Sequence, residues 1–84
     1  MSETNNQLQW KCRRGMLELD IILGRFLAEF YPILNSDEQQ QFESLLEETD
    51  PDIYAWLMSY QADSAQHHAI LEKIRHAVVR HHTL

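Results

Sequence analysis

Apolar residues along the chain recur at spacings of three and four rather than in alternation, which predicts helices throughout. The clearest stretch runs from about Met16 to Tyr31. There Leu19, Ile22, Leu23, Phe26, Leu27 and Phe30 fall on one helix face, and Pro32 ends the run. Gly24 inside it costs roughly 1 kcal/mol relative to alanine, which points to a close helix crossing. Before this helix, Asn5 to Arg14 predicts a shorter one with Leu8 and Trp10 as its main apolar residues. Gly15 would then close it in the left-handed conformation. After Pro32, Ser36 with Gln39 three residues on reads as a capping box. It opens a third helix to about Glu48 that buries Phe42, Leu45 and Leu46. Asp50 as N-cap and Pro51 at the first helical position start a fourth, with Ile53, Trp56, Leu57 and Tyr60 as its stripe. Asp63 or Ser64 caps the last helix, with Gln66 completing a box from Asp63. Ile70, Leu71, Ile74, Ala77 and Val78 form its buried face, and the tail "RHHTL" is expected to fray.

Length and composition narrow this to one small domain. At 84 residues the chain holds a single core at most, and its two glycines and two prolines leave few turns for short strands. The expected fold is all-α: one five-helix bundle over residues 1–84, with about six flexible residues at the start and four at the end. The longest apolar stretch, Met16 to Leu34, is broken by Glu18, Asp20, Arg25 and Glu29, so no membrane insertion is expected. The start, "MSETNNQLQW", has neither the basic and apolar pattern of a signal peptide nor the arginines of a transit peptide. A cytoplasmic protein is the default reading.

Charge is uneven. The formal net charge is −6, yet Lys11, Arg13 and Arg14 form a basic knot, and no Lys or Arg occurs from Phe26 to Glu72. A nucleic-acid binder needs a broad cationic face, so no nucleic-acid partner is expected.

Candidate chemistry is sparse. Cys12, the one cysteine, has basic neighbours that would lower its pKa, but every histidine lies far along the chain, and a packed thiol is the simpler reading. His68, Glu72 and His76 form a ridge at i, i+4 and i+8, but three ligands on one helix do not close a tetrahedral metal site. The acidic residues around Glu47, Glu48, Asp50 and Asp52 sit at helix ends, where capping accounts for Asp50 and Asp52. No glycine-rich phosphate loop can be built from Gly15 and Gly24, so no stably bound cofactor is expected. Nothing here predicts an enzyme.

The stretch "CRRGMLELD", Cys12 to Asp20, remains. As a helix junction, Gly15 terminates one helix, cations follow its negative end, and Glu18 and Asp20 suit the positive end of the next. An Arg14–Glu18 pair would add only a few tenths of a kcal/mol, and the junction leaves the choice of arginine over lysine unexplained. Arginine's planar fork suits bidentate recognition of carboxylates or carbonyls, so a docking surface is the competing reading.

Trp10 to Asp20, "WKCRRGMLELD", resembles the signature of the SdhE family of flavinylation factors, also called succinate dehydrogenase assembly factor 2. Arg14, Gly15 and Glu18 match its Arg-Gly-x-x-Glu core, with Met16 and Asp20 in the expected places. A second block, "FESLLEETDPDIYAWLM" from Phe42 to Met58, resembles the family's Asp-Pro-Asp stretch followed by an apolar–aromatic pair and Trp-Leu; Ile53-Tyr54 stands where Leu-Phe is common. The last helix shows no matching pattern. The resemblance implies a chaperone-like factor that binds the flavoprotein subunit of succinate dehydrogenase, and in bacteria of fumarate reductase. Such factors promote covalent attachment of FAD inside that partner and hold no cofactor stably themselves. It implies partner contacts by Arg13, Arg14, Gly15, Met16, Glu18 and Asp20, with Asp50, Asp52 and Trp56 shaping the fold or rim of the surface. It also implies an alternative, the antitoxin of a pair whose toxin is a small membrane protein.

Overall fold

The computed structural model describes residues 3–58 and 64–79, and its regular structure among them is entirely helical. In chain order come α1 (Glu3–Lys11), α2 (Leu17–Glu29), a 3-10 turn (Tyr31–Ile33), α3 (Ser36–Leu45), α4 (Asp50–Met58) and α5 (His68–Ile74). A π-helical turn, Arg75–Val79, extends α5. The all-α expectation holds.

The core forms where the three-and-four spacing put it. Leu19, Ile22, Leu23, Phe26 and Leu27 bury the inner face of α2. Phe26 lies between Phe30 and Phe42, with ring centroids 5.6 and 5.2 Å away. From the far end of the chain Ile70, Leu71, Ile74 and Val78 close the cluster. Each such side chain contributes roughly 2 kcal/mol by leaving water, which makes this contiguous cluster the main favourable contribution to folding.

Several boundaries differ from the sequence reading, each for a local reason. α1 stops at Lys11, not Arg14, because the Arg14 side chain turns back and its Nη1 donates to the Lys11 carbonyl. Its buried residues are Leu8 and Cys12, whereas Trp10 is 73% exposed. The cap of α3 is Asn35 rather than Ser36. Its side chain accepts from the Glu38 N–H at 2.8 Å while Glu38 returns a bond to the Asn35 N–H at 3.1 Å, one residue earlier than expected. α3 ends at Leu45, short of Glu48, and Thr49 rather than Asp50 precedes α4, its Oγ1 accepting from the Asp52 N–H. Gly24 marks no helix crossing, since a Cβ built there would meet nothing within 4 Å. Met1, Ser2, Tyr60, Asp63 and the tail 80–84 lie outside the described residues.

Candidate functional site

The α1–α2 junction, residues 12–16, is clamped onto the α3–α4 turn, residues 46–49, by one side chain. Arg14 Nε donates to Asp50 Oδ1 at 2.7 Å, Nη1 donates to the Lys11 and Leu46 carbonyls at 3.0 and 2.7 Å, and Nη2 donates to the Glu48 carbonyl. Four of the five guanidinium donors are therefore engaged inside the protein. Only a planar fork serves carbonyls on two sides and a carboxylate on a third, so the choice of arginine over lysine has an internal cause. The Arg14 backbone N–H donates to Asp20 Oδ1, which ties the junction to the first turns of α2. A peripheral pair, Lys11 Nζ to Glu47 Oε2 at 2.9 Å, ties the end of α1 to the same turn.

Between these ties Gly15 is exposed, with φ +88°, and a Cβ built on it meets nothing within 4 Å. The backbone here favours glycine by conformation, and the space above it is open to another molecule. Glu18 is exposed one turn into α2 and accepts from the Tyr54 hydroxyl of α4 at 3.0 Å. That bond, then the carboxylate's charge, holds the phenol above its ordinary pKa. Arg13 is exposed, its guanidinium 6.0 Å from the centroid of the exposed Trp10 ring. Cys12, beneath, is free and buried. Burial pushes its thiol up to about 11, against the opposing pull of Arg14, so the basic neighbours do not activate it.

The family described as "Flavinator of succinate dehydrogenase" matches residues 6–78. This chain belongs to that family. Among curated proteins, the FAD assembly factor SdhE of Vibrio parahaemolyticus is 42% identical over 73 residues, covering 86% of this chain and 85% of its own. The FAD assembly factor SdhE of Coxiella burnetii is 42% identical over 72 residues, covering 84% and 88%. The family match runs from α1 into the π turn, so it includes the last helix, where the sequence alone showed no family pattern.

Of the residues marked out in the sequence, Arg14, Gly15, Asp20 and Asp50 come together at the clamp, with Glu18 beside it through Tyr54. Met16 is half-buried against the core. Glu18 is not the partner of Arg14; Asp50 is, because the chain turns at Gly15 between them. Asp52 is exposed in the first turn of α4. Trp56 packs against the core and the His67 ring, centroids 5.8 Å apart, and its carbonyl accepts from Arg75 Nε at 3.1 Å.

His67 is the residue that sequence reasoning missed. It is 3% exposed, and its Nε2 meets Glu48 Oε2 at 2.9 Å. The one available signal was a histidine immediately ahead of the apolar run of the last helix. The His68–Glu72–His76 ridge shows no metal cluster among the described residues; Glu72 pairs with Arg75 and His76. A groove of about 450 Å³ between the end of α2 and the π turn is lined by Phe26, Phe30, Ile33 and Leu34. Its rim charges Lys73 and Glu38 pair with each other at 3.3 Å. No helix among the described residues is long and apolar enough to cross a membrane.

Proposed function

We propose that this chain binds the flavoprotein subunit of succinate dehydrogenase, and of fumarate reductase where one is present, and promotes covalent attachment of FAD to it. It acts in the bacterial cytoplasm as an assembly factor, without catalysing the bond itself and without holding the flavin stably. The observation that carries the reading is a rigid, open corner: Gly15 is bare on its outer side, with exposed Arg13 and Glu18 flanking it on a junction locked by Arg14. Such a corner lets a partner's backbone approach closely, while the flanking charges set register.

Family membership supports the reading, as do relatives named FAD assembly factors. Arg13 and Glu18 would be the direct anchors and Met16 an adaptable apolar contact. Arg14, Asp20 and Asp50 would hold the corner in shape, with Asp52 and Trp56 at or behind the rim. The antitoxin alternative gains no support from the fold or from these relatives.

Calorimetric titration of the purified flavoprotein with this chain tests the proposal. Wild type is expected to bind. Glu18→Ala should weaken binding by about 2 kcal/mol, roughly 30-fold, without a change in helicity. A folded Gly15→Arg protein that binds at full affinity contradicts it.

A further inference from the structure

Resting on that docking reading, the geometry points to His67 as a positioning residue: by holding the Glu48 carboxylate it fixes the turn whose carbonyls cradle Arg14, and so sets the Gly15 corner. Glu48 is bonded at both ends. Its carbonyl accepts from Arg14 Nη2, and its carboxylate meets His67 Nε2. His67 reaches nothing at the corner itself. It is 19 residues from Glu48 in the chain and stands at the start of α5.

The ring is well placed to act as a fixed post. Its side chain is 2% exposed and packs on Trp56; its backbone N–H donates to the Ser64 carbonyl at 3.1 Å, and its carbonyl accepts from the Leu71 N–H at 2.9 Å. Glu48 is the looser partner, with a side chain 34% exposed. Without His67 that carboxylate would turn to water, and the turn would lose the bond that ties it to the start of the last helix. Two carbonyls of that turn, Leu46 and Glu48, take Arg14 donors, so its position decides where the guanidinium sits. Linked hydrogen bonds of this kind behave as a unit, and a change at one end is felt at the other.

The test uses the full chain and the Arg14 Nε–H resonance, followed by its exchange with water in NMR. In His67→Leu and in Glu48→Ala, exchange of that proton should quicken about tenfold, and support of flavin attachment should fall about tenfold. His67→Gln carries an N–H where Nε2 stood and should restore both. Glu48→Ala, at a half-buried side chain, keeps the test alive where His67→Leu fails to fold. Unchanged Arg14 exchange in the folded variants, or no rescue by glutamine, overturns the inference. Failure of wild type to support flavin attachment would instead sink the proposed function, and the exchange comparison would still stand.

Discussion

Arg14 and Glu18 share a motif, but their surroundings give them opposite work. The Arg14 side chain is 13% exposed and bonded to Asp50 and three backbone carbonyls. Removing it strands those carbonyls and leaves Asp50 uncompensated. Arg14→Ala should therefore lower unfolding stability by on the order of 2–4 kcal/mol in urea, and lysine should recover only part of that. Glu18 is exposed and makes one bond, from Tyr54, so Glu18→Ala should stay within about 0.5 kcal/mol of wild type. Equal and small effects at both positions would refute this division. Gly15 needs its φ of +88°, so a side chain there would strain the backbone by about 1–2 kcal/mol without meeting a neighbour. A large loss of docking in a folded Gly15 variant would then report the partner's proximity.

Among the elements, α2 shows most directly what a glycine can and cannot signal. Gly24 lies on the outer part of that helix with nothing near its missing Cβ, so Gly24→Ala should stabilise the chain by about 0.5–1 kcal/mol through helix propensity. A loss of stability on denaturation would show that the site is crowded after all. The core faces of α2 and α5 were legible in the sequence because periodic apolar spacing depends only on local geometry. Caps were legible in kind but not in register: Asn35–Glu38 and Ser36–Gln39 are both sound boxes, but the first forms while the Gln39 side chain donates to the Tyr31 carbonyl at 3.0 Å. The end of α1 was misplaced because the residue that stops it, Arg14, is held by carbonyls 32 and 34 positions away. His67–Glu48 was hidden for the same reason, since no spacing rule pairs a turn residue with one 19 positions on at the start of another helix. The corner was visible as a motif; which of its charges face inward was not.

For the molecule as a whole, the core that seals Cys12 also sets its response to alkali. Burial lifts the thiol from 9.0 to about 11, so the folded state holds that proton longer than the unfolded chain does. The associated stability, on the order of 2 kcal/mol, is fully present below pH 9 and is lost as the pH rises towards 11. Tyr31, lifted to about 12 by burial and by its bond to Glu43, adds to the same decline at still higher pH. Urea midpoints measured from pH 8 to 11 should therefore fall, and less steeply in Cys12→Ala relative to that variant's own value at pH 8; identical slopes would show that the thiol does not contribute. The same burial makes native labelling of Cys12 slow at neutral pH, and the proposal rests the function on the exposed corner instead. That is tested most directly by the covalent flavin on the succinate dehydrogenase flavoprotein, read as fluorescence of the denatured band. Cells lacking this chain would be compared with cells given back wild type or Glu18→Ala. Restoration by wild type and not by the folded variant is the predicted result; equal flavin in all three would contradict the account.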